Sequence, residues 1–372
     1  MNSGPYISLG EIVQARYGKA LREDERDSNG SFDVFGSSGI VGNHSSAVID
    51  QATIIVGRKG SVGAVTYAPN GGWPIDTTYY LTWRDGVLGD WRYLFHALSA
   101  ANLGKHEITT SIPGLNRDRL LETLISFPNI VSQRHIGAML DKADAIRQNR
   151  RDALKLADQF MRSVFLDMFG DPVPNPKGWQ TAKLGTITKK IGSGATPLGG
   201  DSVYKTSGIS FIRSLNVHDR KFLIKDLAHL DTAQAARLAN VEVMSGDVLL
   251  NITGASVARC CLVPEDVLPA RVNQHVSIIR PNERINSEFL ESHLVCETVK
   301  RVLLGIGESM GATRQAITKA QLEAFPIIVP PIPEQERFVK VVAKVRQQKQ
   351  AIEEFATQSE ILFQSIQQQA FA

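Results

Sequence analysis

The sequence predicts an α+β protein: two globular α/β domains joined by two long antiparallel helices of coiled-coil type, the whole an internal repeat with pseudo-two-fold symmetry. Three observations predict it. Residues 130–169 and 334–372 contain no proline and carry apolar residues at steps of three and four, the helical period. Each stretch follows a proline-marked, strand-like run. Subtracting 202 from the second stretch lands it on the first without a gap, with Leu322 on Leu120, Ile327 on Ile125, Pro330 on Pro128 and Gln335 on Gln133. A period this long repeats whole domains rather than solenoid units.

The elements follow in order. Residues 1–128 form the first globule and residues 129–170 the first long helix, with a seam expected at Ile136, Met139, Ile146 and Phe160. Residues 171–178 hold Pro172, Pro174 and Pro176, which stop that helix and suggest an extended, semi-rigid connector. Trp179 opens the second globule, residues 179–330. Residues 331–372 form the second helix, whose seam is expected at Phe338, Val341, Val345, Ile352, Phe355 and Leu362. At about 1.5 Å per residue each helix is a rod of about 60 Å that would set a fixed spacing. Upstream, Leu9-Gly10-Glu11-Ile12 parallels Leu184-Gly185-Thr186-Ile187. The strand-like Ile54-Ile55-Val56 before Ser61 parallels Leu249-Leu250-Asn251 before Ser256.

Composition bounds the function. The chain of 372 residues is 43% hydrophobic and carries 41 basic against 38 acidic residues, a net +3. Its first 128 residues carry net −2 and residues 179–330 net +3, so any nucleic-acid surface must be a local patch. No apolar run approaches the roughly 20 residues of a membrane span. Residues 1–10 lack a signal-peptide pattern, and only Cys260, Cys261 and Cys296 occur, which fits a reducing cytoplasm. A phosphate loop, a zinc-protease helix, a C-x-x-C pair and a nucleophile elbow are all absent. Cys260 and Cys261 are read as small buried thiols, and His275 as a packed or edge residue of a strand. No catalytic residue, metal ligand or cofactor of this chain is expected.

Glycine turns after short strands carry the candidate binding chemistry. Arg58, Arg213, Asn216, Arg314 and Gln315 have the paired donors and acceptors that suit base edges. Lys59, Ser61, Lys189, Lys190, Thr196, Thr253, Ser256 and Thr313 suit phosphate oxygens. The lack of an aromatic ladder favours duplex over single-stranded DNA. Two other classes stay open: a helical scaffold that assembles partners without reading DNA, and an enzyme acting alone.

At these residues the chain resembles the specificity subunits of type I restriction-modification systems. The resemblance rests on Leu184-Gly185 with Ser193-Gly194-Ala195-Thr196-Pro197, on Ser245-Gly246-Asp247-Val248-Leu249-Leu250, and on Gly311 to Gln315. The most specific piece is Ile328-Val329-Pro330-Pro331-Ile332-Pro333-Glu334-Gln335 before a long helix. It implies two target recognition domains, each reading one half of a bipartite, asymmetric sequence in double-stranded DNA, with the helices fixing the spacer and docking two DNA methyltransferase subunits. A restriction subunit is a further partner in some such complexes. It also implies that S-adenosylmethionine and ATP bind the partner subunits, in a prokaryotic cytoplasm. The first half departs from the pattern, with Tyr17-Gly18-Lys19-Ala20-Leu21 in place of Ser193 to Pro197 and Val131-Ser132-Gln133 in place of Pro333-Glu334-Gln335.

Overall fold

A computed structural model describes residues 4–106, 114–197, 199–308 and 316–371. Two compact units result, Met1–Ala153 with Ile352–Ala372, and Leu154–Ala351. The division falls within the long helices rather than at their ends, because each globule packs against nearby segments of both.

In the first unit, Val13–Tyr17, Thr78–Trp83, Thr53–Gly57 and Val65–Ala68 form an antiparallel sheet in that spatial order. Beside it, Phe32–Gly36 pairs antiparallel with Gly39–His44 and parallel with Trp73–Pro74. The second unit repeats this plan. Thr188–Ser193, Val276–Pro281, Val248–Asn251 and Cys260–Leu262 take the same order. Ile209–Ile212 pairs antiparallel with Ala228–Leu230 and parallel with Ala270–Val272. The alternating apolar residues of these strands meet a helix in each unit, so Ile54, Val56 and Leu81 pack with Leu94 and Leu98, and Val248, Leu250 and Ile279 with Phe289 and Leu290. Cys260 lies in this interior and Cys261 in a second cluster of the same unit, both buried as expected, and burial raises both thiol pKa values.

A buried glutamine explains why the repeat keeps its register. Gln133 donates to the Pro128 carbonyl at 2.7 Å and accepts from the backbone of Asp90, the N-cap of helix Trp91–Ala100, at 2.9 Å. Gln335 donates to Pro330 at 2.7 Å and accepts from Asn286, the N-cap of Ser287–Leu294, at 2.8 Å. Neither glutamine is exposed.

The long helices run Ile130–Phe169 and Ile332–Phe371. In the first unit Ile136 and Leu140 meet Phe363 and Ala370; in the second Phe165 and Phe169 meet Phe338. The packing is therefore antiparallel in both. Only part of the expected seam is buried: Ile136, Phe338 and Val345 are buried, while Met139, Val341 and Ile352 are half-buried. Ile146, Phe160, Phe355 and Leu362 face outward, between 47 and 60% exposed. The true stripe uses Leu140 and Arg147 where Met139 and Ile146 were expected, because its centre is polar. Arg147 lies over the Phe363 ring at 4.2 Å and pairs with Glu360 at 2.8 Å, and Arg150 donates to the Phe355 carbonyl at 2.6 Å. In the second unit Lys349 pairs with Asp158 at 2.6 Å.

The connector is not extended. It turns at Asn175, whose N–H donates to the Asp171 carbonyl at 2.9 Å, and Lys177 Nζ caps the preceding helix at the Met168 carbonyl, 3.1 Å away. Among the described residues no helix is long and apolar enough to cross a membrane.

Candidate nucleic-acid interface

In the second unit the strand Val248–Asn251 runs into a turn at residues 253–256 beside the loop after Ile212. Ser214, Leu215, Thr253, Ser256, Arg259 and His275 line a groove of about 560 Å³ there. Gly254, at φ +74°, makes the turn possible. Buried Asn251 fastens the opposite wall by donating to the Ser214 carbonyl at 2.9 Å. A polar relay leads from the groove's His275 and Thr253 out to Thr196. Thr196 Oγ1 donates to Gln274 Oε1, whose amide nitrogen lies 3.1 Å from His275 Nε2, and His275 Nδ1 lies 2.5 Å from Thr253 Oγ1. An amide nitrogen only donates, so the imidazole accepts at Nε2 and donates from Nδ1. Thr253 then keeps its own hydroxyl proton for an acceptor in the groove. Thr253, Ser256 and Thr196 are thus brought together, with Arg213 directly before Ser214.

The remaining candidates of this unit separate from the groove. Lys190 pairs in register with Arg280, five residues along the strand from His275, or about 17 Å. Its ammonium donates to the Asn240 carbonyl at 2.6 Å, and burial, then Arg280, lowers its pKa. Lys189 is exposed nearby and pairs with Glu283 at 3.3 Å. Lys189 and Lys190 therefore do not share the groove's ligand. Asn216 is corrected outright. It is fully buried, accepts from the Arg213 N–H at 3.0 Å and donates to the Leu223 carbonyl at 2.9 Å, so it holds a turn and reaches no base. Arg213 donates to the Asp226 carbonyl at 2.7 Å with its guanidinium 5.3 Å from the Tyr204 ring centre. Thr313, Arg314 and Gln315 lie outside the described residues. The chain re-enters at Ala316, which bridges to Thr253 and lines the groove.

The first unit places its own turn at the corresponding end of its sheet. Leu115 donates to the Arg58 carbonyl as Ile317 donates to Ile252, both within hydrogen-bond distance, and Lys59 bridges to Gly114 as Thr253 does to Ala316. Lys59 and Ser61 are exposed there. Arg58 donates to the Asp76 carbonyl at 3.0 Å and lies 5.3 Å from the ring centre of Tyr17. Arg117 approaches the same ring at 5.6 Å. Below it, Tyr79 has its pKa pushed up to about 12, first by burial and then by Tyr17.

Sequence reasoning missed Arg259, Gln274, Tyr17 and Arg117, and read His275 as a packed or edge residue of a strand. His275 and Gln274 carried a signal, since Val272 to Ser277 forms a short β-rich run entered from a turn, parallel to Ile75 to Tyr80 of the first half. Tyr17 and Arg117 carried none, because a hundred residues separate them. Among the described residues no group of three or more His, Cys, Asp or Glu is placed to hold a metal ion.

The family model of the type I restriction modification DNA specificity domain matches residues 6–156 and 176–362. The chain belongs to that family. Among curated members, the specificity subunit of the Escherichia coli type I restriction enzyme EcoprrI is 26% identical over 165 residues, 43% of this chain and 41% of that relative. The match thus spans less than half of the relative's length. Among solved structures, the type I restriction-modification S subunit from M. genitalium aligns over 99% of this chain and 96% of its own, with a TM-score of 0.70 at 14% identity. A chain from a structural study of the assembly and conformational transition of a type I system aligns over 99% and 97%, with a TM-score of 0.54 at 19% identity. The specificity fold therefore extends over the chain, and the two matched segments correspond to its two halves.

Proposed function

We propose that this chain is the DNA-reading subunit of a type I restriction-modification complex, each unit contacting one half of a split, asymmetric duplex target. One observation carries the reading: two sheets of identical strand order present corresponding turns at the same end, with different chemistry on each. The second offers hydroxyls, an imidazole and Arg259 around a groove; the first offers an aromatic ring and three cations. Readers of one fold and unlike side chains suit unlike half-sites.

Bases would be read by Arg213 and Arg259 at the second unit's groove, with Thr253, Ser256 and Thr196 on phosphates. Lys59 and Ser61 would hold phosphates in the first unit. The outward-facing Ile146, Phe160, Phe355 and Leu362 form apolar stripes of the kind that protein partners cover, and two methyltransferase subunits are their proposed occupants. Methyl transfer, with S-adenosylmethionine, and any ATP-driven cleavage would then belong to partner subunits in the prokaryotic cytoplasm. This chain would contribute recognition and no catalytic group.

Mapping methylated positions in cells with the cognate methyltransferase, with and without this chain, tests the reading. Two short unlike blocks around a fixed gap, seen only when the chain is present, are expected. An active methyltransferase with the same motif in both cells would overturn it.

A further inference from the structure

The first unit assembles a cationic cluster from three distant parts of the chain. Tyr17 ends the strand Val13–Tyr17 opposite Tyr79 and is 50% exposed. Arg58 and Arg117 bring their guanidiniums to 5.3 and 5.6 Å of that ring's centre. Among the described residues Arg58 makes no ion pair; it donates instead to the Asp76 carbonyl, a dipole rather than a charge. Among the described residues Arg117 pairs only with Asp118, at 3.9 Å, with that carboxylate 77% exposed, and such a pair cancels little. An aromatic ring attracts cations without neutralising them. The cluster thus holds two positive charges side by side, with exposed Lys59 next in the chain, in a domain whose net charge is −2.

Among the described residues, the corresponding place in the second unit carries different chemistry. There Ser193, Ile252 and Thr253 occupy the positions of Tyr17, Arg58 and Lys59. Lys319, at the position of Arg117, pairs with Glu323 at 3.6 Å.

We propose that Tyr17 is a positioning residue that sets Arg58 and Arg117 as a clamp on the phosphodiester backbone of duplex DNA. This rests on the DNA-reading function above and moves Arg58 from base edges to phosphates. A doubly cationic clamp answers how an acidic domain approaches a polyanion: affinity comes from a few uncancelled charges, placed beside the turn that reaches the bases.

The test uses the complex reconstituted with its methyltransferase. Binding to a duplex carrying the mapped target and to a scrambled duplex is followed through a salt series, alongside the methylation motif in cells. Arg117→Gln and Tyr17→Ala are expected to weaken both duplexes equally, by about fivefold, and to lower the log–log salt slope by about one for each phosphate lost. Tyr17→Phe, which keeps the ring, should bind like the parent, and the motif should stay unchanged. A motif loosened in one half-site, an unchanged salt slope, or a Tyr17→Phe loss equal to that of Tyr17→Ala would overturn the clamp. Should Tyr17→Ala unfold, the half-buried Arg58→Gln and the exposed Arg117→Gln decide by the same readouts. A parent complex without any preference for the mapped target would instead overturn the DNA-reading function itself, and the clamp with it.

Discussion

Gln133 and Gln335 each join a proline carbonyl to the N-cap of a helix from inside the protein, so each closes two backbone groups that would otherwise lack this partner. Gln335→Leu leaves the Pro330 carbonyl and the Asn286 N–H unpaired and should cost about 1–3 kcal/mol per orphaned group, read as a lower urea midpoint. His293 makes a second residue-scale prediction. It is buried, its Nε2 accepts from the Ile328 N–H at 3.4 Å, and burial lowers its pKa to about 3. Between that value and the unfolded value near 6.5 the unfolded chain binds more protons, so this group's contribution is present at neutral pH and is lost as the pH falls. Urea unfolding from pH 7.5 to 4.5 should show the parent losing stability faster than His293→Gln; parallel curves would contradict this. The residue scale was the least legible in the sequence. Asn216 has the composition of a base reader, yet its amide serves the turn that precedes the groove, and only the fold reveals that.

At the scale of elements, the long helices were legible as helices and misread as faces. A stripe of apolar residues marks a seam only when the seam is apolar, and this one carries Arg147, Arg150, Glu360, Lys349 and Asp158 along its middle. Phe160, Phe355 and Leu362 turn outward instead. Packing energy should therefore concentrate at the helix ends. Phe165→Ala, inside the ring cluster of Phe169, Phe289 and Phe338, should cost about 3–5 kcal/mol. The partly exposed Arg147–Glu360 pair should show a coupling of at most about 1 kcal/mol in a double-mutant cycle.

Across the whole molecule the duplication reaches to the helix ends. Trp179 Nε1 donates to the Phe169 carbonyl at 3.0 Å, and Tyr6 Oη donates to the Phe371 carbonyl at 2.9 Å. Phe169 packs against Phe289, and Phe371 against Tyr93, with ring centres 4.8 and 5.5 Å apart. The offset of 202 already pairs Phe371 with Phe169, so this symmetry was readable from the sequence. Which globule each helix end meets was not, since no local pattern encodes it. Phe371→Ala should thus loosen the first unit, costing about 2 kcal/mol and speeding amide exchange in helix Trp91–Ala100 while Ser287–Leu294 keeps its protection.

The division of one target between two units is the central claim, and the methylation motif of a groove variant tests it most directly. Arg259→Ala with His275→Ala alters side chains at the second unit's groove and substitutes no residue of the first. The mapped motif should become degenerate in one block, with the gap length and the other block unchanged. Loosening of both blocks together, or a motif identical to the parent's, would contradict the account.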